Sequence, residues 1–153
     1  MLEAVGYAVP VADALNQGHD FGIEHRDVKP DNILMAGAEP RLTDFGIARL
    51  RDATGSTSTQ ITASWLHASP ETFENKRDHR SDIYSRVSTL QTLITGVAPF
   101  YSADDESLSP LMFRLLTQPP PRLPTELGPT ELADLLQQGL SKDPADRPQS
   151  ARD

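Results

Sequence analysis

Apolar side chains recur at intervals of three and four positions along the first twenty residues. The repeat passes through Ala8, Val11 and Leu15, and this spacing places the side chains on one face of a helix. The pattern therefore predicts one amphipathic helix. Its end is predicted near Gly18 and Gly22, because glycine readily adopts the backbone conformation that terminates a helix.

The next part of the chain has shorter apolar runs. Residues 33–35 and 41–43 are separated by a turn that contains glycine and proline, which predicts a small β-hairpin. Residues 52–62 are rich in Ser, Thr and Gly and show no periodicity. We expect a mobile surface loop there.

Longer apolar patterns return in the second half. One opens at Asp82 and closes at Gly96, and its many apolar residues predict a mostly buried helix. Leucines near residues 111–116 predict another helix. A third is predicted over residues 132–140, with Thr130 as its N-cap, and the proline-rich stretch before it predicts an extended connector.

Composition limits the classes of function. The chain has 153 residues, enough for one domain with a real core. Its net charge of −8 disfavours nucleic acid and anionic membranes as partners, so local groups must hold any phosphate-bearing ligand. The absence of cysteine excludes disulfides, thiolate metal sites and cysteine catalysis, and it suits the cytoplasm. No segment reaches the ~18 apolar residues that span a bilayer, so we expect a soluble chain without a membrane segment.

The most informative stretch is HRDVKPDN at residues 25–32, followed twelve residues later by Asp44, Phe45 and Gly46. This pair of motifs resembles the catalytic loop and the metal-binding motif of protein kinases. A lysine two positions after the aspartate of HRD resembles the serine/threonine branch of that family.

Each of these residue types suits phosphoryl transfer. The reaction needs an acceptor for the hydroxyl proton, positive charge at the moving phosphate and oxygen ligands for Mg²⁺. The resemblance implies that Asp27 accepts the proton and that Lys29 contacts the γ-phosphate of ATP. Asn32 and Asp44 would bind Mg²⁺, and Leu34 would lie beside the nucleotide.

A third motif extends the resemblance along the chain. Ser69, Pro70 and Glu71 resemble the motif that closes the activation segment in the family, which would then span residues 44–71. The resemblance also implies that Arg147, in the sequence KDPADRP, pairs with Glu71.

Several residues would support the catalytic loop. The resemblance implies that His25 packs beneath Phe45 and that Asp82 caps the backbone of the HRD turn. Because Arg26 precedes the catalytic aspartate, it also implies regulation by phosphorylation of the activation segment. The candidate phosphosites are Thr57, Ser58 and Thr59. The hydroxyl of Ser64 is expected near the substrate. His19, His67 and His79 show no metal-ligand spacing and are expected to be packing or surface residues.

Other parts of the family pattern have no match in these residues. The family uses a Gly-rich loop over the phosphates and a strand lysine, whereas the 24 residues before His25 contain no lysine. We therefore expect residues 1–153 to be a partial kinase domain, a mainly α C-terminal lobe with a small β-hairpin, with the N-terminal lobe absent. An apolar face around Leu34 should be exposed to that lobe or to another protein, and this polypeptide alone should be inactive.

Some positions depart from the family. Pro10 lies inside the first predicted helix, where proline costs about 3 kcal/mol. Arg86 and Val87 replace a pair that is usually Leu and Gly in the central helix. If Arg86 points inward, it is expected to need a carboxylate partner.

The sequence leaves a choice of functions. The leading hypothesis is transfer of phosphate from ATP, with Mg²⁺, to Ser or Thr of a protein substrate. The alternative is a non-catalytic pseudokinase-like remnant or binding module. A small-molecule phosphotransferase is a third possibility, which Lys29 and the Ser-Pro-Glu motif disfavour.

Overall fold

The computed structural model describes residues 2–45, 65–105 and 107–153. The regular elements in these ranges are α1 (Leu2–Asp20), β1 (Ile33–Ala36), β2 (Glu39–Leu42), α2 (His79–Thr95), α3 (Leu108–Thr117) and α4 (Thr130–Gly139). Short 3-10 turns cover Pro30–Asn32, Pro70–Glu74 and Pro144–Asp146. The described part of the chain is thus mainly helical with one two-stranded sheet, as predicted.

Helix α1 ends where the sequence predicted. Gly22 has a φ of 71°, its N–H donates to the carbonyl of His19 at 2.9 Å, and the N–H of Ile23 donates to the carbonyl of Gly18 at 2.8 Å. These two bonds form a Schellman motif, which closes a helix through a left-handed residue. Pro10 lies within α1, and the helix continues on both sides of it.

The hairpin is antiparallel and pairs Ile33 with Leu42. Gly37 begins its tight turn with a φ of 69°, a conformation that glycine adopts without steric cost. The strands differ slightly from the prediction, because the first continues to Ala36 and the second starts at Glu39 and stops before Thr43.

Helix α2 starts three residues before the predicted position at Asp82. Its N-cap is Asp78, whose carboxylate accepts the N–H of Arg80 at 2.8 Å, while the hydroxyl of Ser81 accepts the N–H of Asp78 at 3.4 Å. This reciprocal capping box satisfies donors that the first helical turn leaves free. The helix ends at Gly96, with a φ of 80°, as predicted.

The predicted N-cap of α4 is wrong. Pro129 occupies the cap position, no side chain caps the helix, and Thr130 is already its first residue. The carbonyl of Pro129 accepts the N–H of Ala133 at 3.2 Å, so the backbone makes the first bond of the helix.

Two hydrophobic clusters hold these elements together. The larger joins α2, α3 and α4, and its buried members are Tyr84, Val87, Phe100, Leu111, Leu115, Leu123, Ala133, Leu136 and Leu140. The smaller packs α1 against the hairpin and the chain end through Val11, Leu15, Val28 and Ala151. Together they place the polar loop at residues 25–32 between α1 and α2.

Arg86 does not find the predicted carboxylate. Its Nη1 donates to the carbonyl of Ala151 at 2.6 Å, and burial lowers the pKa of its guanidinium. A neutral oxygen therefore replaces the expected ion pair. Among the residues that the structure describes, no helix has the length and hydropathy needed to cross a membrane.

Candidate active site

Asp82 holds the turn that begins the loop at residues 25–32. Its Oδ2 accepts the N–H of His25 and its Oδ1 accepts the N–H of Arg26, both at 2.7 Å, and only 2% of the residue is exposed. Arg26 has a φ of 70°, a left-handed conformation that costs about 1–3 kcal/mol at a non-glycine residue. Two hydrogen bonds to a buried carboxylate offset that strain. The contact predicted for Asp82 is confirmed.

His19 also binds this carboxylate, which the sequence did not reveal. Its Nε2 lies 2.9 Å from Oδ2 of Asp82, and a carboxylate only accepts, so this nitrogen carries the proton. The last turn of α1 is thereby tied to the first turn of α2. His19 was expected to be a packing or surface residue, and its bond to Asp82, 63 positions away, is a contact that this expectation did not include.

His25 lies beneath the catalytic loop and is fully buried. Its Nε2 is 2.7 Å from the carbonyl of Thr43 and must donate, while its Nδ1 accepts the N–H of Asp27 at 3.3 Å. The ring also meets that of Phe45 edge-on, with centroids 4.6 Å apart. The predicted packing against Phe45 is confirmed, and His25 joins the two motifs through backbone atoms as well.

Three of the four predicted chemical side chains converge. Nζ of Lys29 lies 2.8 Å from Oδ2 of Asp27. Nδ2 of Asn32 donates to the same Oδ2 at 3.1 Å and to the carbonyl of Asp27 at 2.7 Å. The side chains of Asp27 and Lys29 are 19% and 11% exposed, so the cluster lies at the protein surface, partly shielded from water.

Asp44 stands beside this cluster. The N–H and the hydroxyl of the preceding residue, Thr43, donate to the backbone carbonyl of Asn32 at 2.9 and 3.2 Å. Asp44 is exposed, has a φ of 65°, and its carboxylate makes no hydrogen bond to the described residues. Because the amide nitrogen of Asn32 is committed to Asp27, its amide oxygen is left as an acceptor.

The donor set fits Mg²⁺. Carboxylate and amide oxygens are the ligands that this hard cation prefers, and Asp44 and Asn32 present both types from adjacent backbone segments. Within the described ranges, no three His, Asp or Glu side chains form a metal site by themselves. These two oxygen donors would therefore be only part of a coordination shell.

The predicted contact between Arg147 and Glu71 is confirmed. Nη1 and Nη2 of Arg147 lie 2.7 and 2.8 Å from the two carboxylate oxygens of Glu71, and Ser81 donates to Oε1 at 2.6 Å. Burial by itself would raise the pKa of Glu71, but the hydrogen bonds from Arg147 and Ser81 hold this pKa below its ordinary value. Arg147 is 2% exposed, so the pair is an internal tie between distant segments.

His67 lies close to the catalytic loop. It is buried, and its Nδ1 is 2.9 Å from the hydroxyl of Ser88. Burial lowers the pKa of His67 to about 4, although the charges of Asp31 and Asp27 act in the opposite direction. The expectation of an ordinary packing residue is thus incomplete, since the ring lies within electrostatic reach of the loop.

Arg26 has a carboxylate neighbour within the described residues. Its Nε donates to Oε2 of Glu24 at 3.0 Å. Its predicted phosphorylated partners, Thr57, Ser58 and Thr59, lie outside the described residues, as do Gly46 and Ser64. The phosphosites therefore stay predictions.

Several large apolar side chains on either side of residues 25–32 are exposed. Leu34 is 55% and Met35 is 50% exposed on β1, and Phe21 and Ile23 are exposed in the loop after α1. The predicted exposure around Leu34 is confirmed.

Comparison with families of proteins gives a match over residues 2–152 to the family described as "Protein kinase domain". The chain is 36% identical over 153 residues to the serine/threonine-protein kinase PknK of Mycobacterium tuberculosis, covering 99% of this chain and 14% of that protein. It is 35% identical over 158 residues to the serine/threonine-protein kinase pkn3 of Myxococcus xanthus, covering 92% of this chain and 28% of that protein.

A further relative is similar to the same extent. The serine/threonine-protein kinase PknD of Mycobacterium tuberculosis is 38% identical over 157 residues, covering 98% of this chain and 23% of that protein. The chain thus spans 14–28% of the length of these three curated relatives.

Proposed function

Since the chain belongs to the protein kinase family, we propose that it forms the C-terminal lobe of a kinase domain that transfers the γ-phosphate of ATP to Ser or Thr of a protein. The observation that carries this proposal is the convergence of Asp27, Lys29 and Asn32 within 2.8–3.1 Å. Phosphoryl transfer depends mainly on positioning and electrostatics, and this cluster supplies both.

Each residue has a separate task in the proposed reaction. Asp27 accepts the proton of the substrate hydroxyl, and Lys29 places positive charge at the transferred phosphate. Asn32 and Asp44 hold Mg²⁺ with their oxygen atoms, and the apolar side chain of Leu34 lies against the nucleotide. When bound, the metal ion neutralises charge on the phosphates.

The backbone of the loop at residues 25–32 is held in place, so that the reacting side chains are positioned before substrate binds. Asp82 and His25 anchor the loop at atoms other than the reacting ones, so the loop does not need to reorganise when substrate binds. Such preorganisation is a major source of electrostatic catalysis.

The remaining segments have proposed roles as well. Residues 25–32 form the catalytic loop, 44–71 form the activation segment with Thr57, Ser58 and Thr59 as phosphosites, and 72–153 form the helical remainder. We place the reaction in the cytoplasm, because a chain without cysteine suits a reducing compartment. The exposed surface around Leu34 packs against an N-terminal lobe or another protein.

A direct assay tests the proposal. The full-length protein, as its own gene produces it, is incubated with labelled ATP, Mg²⁺ and a basic protein. Label transfer is expected, and Asp27→Asn is expected to reduce it by about 10²–10⁴-fold through loss of the proton acceptor. The matched control Asp104→Asn changes an exposed aspartate and should leave the rate unchanged.

The alternative of a non-catalytic binding module has a distinct outcome. It draws on the exposed apolar face at Leu34 and Met35, which would bind a partner without chemistry. Equal label transfer by the native protein and Asp27→Asn, or no transfer by either, would favour it. The 153-residue polypeptide tested alone is expected to transfer little phosphate, because these residues hold no match to the Gly-rich loop and strand lysine of the family.

A further inference from the structure

The ring of Phe45 lies in the space that a side chain at Gly18 would need. A Cβ atom at this position would lie 3.0 Å from Cε1 of Phe45 and 3.1 Å from the carbonyl oxygen of Ile23. Both distances are below ordinary van der Waals contact. Gly6, in the same helix, has nothing within 4 Å of the equivalent point.

The glycine is not explained by the helix itself. Gly18 lies inside α1, where glycine is about 1 kcal/mol less favourable than alanine. Its carbonyl accepts the N–H of Ile23, a bond that any residue can make. What alanine would change is the space beside the ring of Phe45 and beside the carbonyl oxygen of Ile23.

The ring of Phe45 thus has two close neighbours among the described residues. One is the backbone of Gly18, and the other is the ring of His25, whose centroid is 4.6 Å from that of Phe45. His25 is held in turn by Asp82 and by the carbonyl of Thr43. A Cβ atom at residue 18 would therefore require a shift of the ring of Phe45 or of the backbone that carries it.

That backbone carries Asp44. Its carboxylate makes no hydrogen bond to the described residues, so its position depends on the backbone on either side. On one side Thr43 is tied to Asn32 and His25, and on the other side Phe45 is the next residue. Among the described residues, the ring of Phe45 and the hydrogen bonds of Thr43 thus flank Asp44 and hold its backbone.

We propose that Gly18 is a positioning residue: by lacking a side chain it fixes the ring of Phe45, and through the adjacent backbone it fixes the carboxylate of Asp44. The role rests on the proposed function, in which Asp44 is a ligand of Mg²⁺. It extends the site to the last turn of α1, which bears none of the reacting groups.

The kinetic test compares two glycine substitutions in α1. Gly18→Ala and Gly6→Ala change the same residue type in the same helix, and only the first meets Phe45. In the full-length protein, Gly18→Ala is expected to raise the half-saturating Mg²⁺ concentration by about threefold or more, since small misplacements of a reacting group are costly. The KM for the protein substrate should stay within about twofold, as expected for a site away from substrate binding. Gly6→Ala should change neither value.

A second readout does not depend on activity. In the NMR spectrum of the chain, Gly18→Ala should shift the ring signals of Phe45 and the amide signal of Asp44, and Gly6→Ala should shift neither. Thermal unfolding should show that Gly18→Ala is folded. Unchanged signals of Phe45 and Asp44 in folded Gly18→Ala would overturn the proposal.

A double variant distinguishes an effect transmitted through Phe45 from a general destabilisation of the fold. Phe45→Leu shortens the side chain at the contact, so adding Gly18→Ala to it should no longer affect Asp44 or the Mg²⁺ requirement. An effect of Gly18→Ala that persists at full size in Phe45→Leu would refute the mechanism. If the native protein transfers no phosphate, the proposed function fails, while the NMR comparison still decides whether Gly18 positions Phe45 and Asp44.

Discussion

Two ion pairs of similar geometry differ greatly in their surroundings. Arg147 and Glu71 are buried, whereas Lys76 and Glu74 form an exposed pair at 2.7 Å. A buried carboxylate that loses its partner remains as an uncompensated charge, but an exposed one is solvated by water. The energetic importance of a pair therefore follows from burial rather than from distance.

Replacing each cation by methionine tests this difference. Arg147→Met should lower the free energy of unfolding by about 3–5 kcal/mol, and Lys76→Met should leave it nearly unchanged. Urea unfolding of both variants measures the contrast. Equal effects would show that the Glu71 pair is not the internal tie described above.

His67 gives the fold a defined sensitivity to acid. Its pKa is about 4 in the folded chain, against an ordinary value of 6.5, so the unfolded state binds more protons between these values. Stability must then fall as the pH drops from 6.5 to 4, by at most about 3 kcal/mol from this residue. His67→Gln should flatten this part of the curve, as urea unfolding at pH 7 and pH 4.5 would reveal. An unaltered slope in His67→Gln would contradict the account.

At the scale of elements, helices α2 and α4 pack closely against each other at Val87 and Gly139. A Cβ atom at Gly139 would lie 2.5 Å from Cγ2 of Val87, so the valine fills the space that the glycine leaves. We interpret the two residues as a compensating pair at this helix crossing.

A double-mutant cycle tests the compensation. Gly139→Ala should destabilise the chain by about 1–3 kcal/mol because it overpacks the crossing. The same change should cost clearly less when Val87→Ala is also present, since the clashing methyl groups are gone. Additive losses in urea unfolding would show that the two positions are independent.

The sequence predicted most elements but missed contacts that depend on folding. The motif at residues 25–32 predicted which side chains of this loop would lie together, because its members are close in sequence. The bond from His19 to Asp82 and the bond from His67 to Ser88 join residues far apart, so no local pattern revealed them. The start of α2 was misplaced because Asp82 opens its apolar pattern, whereas the capping box at Asp78 precedes it by one helical turn.

At the scale of the whole molecule, three segments distant in sequence hold one loop. Helix α1 contributes His19 and the space at Gly18, α2 contributes Asp82, and the strand after the loop leads to Thr43 and Asp44. The reacting groups proposed here therefore need the whole helical body for their position. Kinetic effects are expected from residues that never touch a substrate.

The proposed function requires Asp27 and Lys29, 2.8 Å apart, to act together in phosphoryl transfer, each with its own task. The most direct test measures labelled phosphate transfer by the full-length protein carrying Asp27→Asn, Lys29→Met or both. Each single change should reduce the rate by about 10²-fold or more, and the double change should be little worse than the more severe single one, because the effects of residues that act together are not additive. Single variants that keep the native rate, or a double variant that loses the product of both factors, would contradict this requirement.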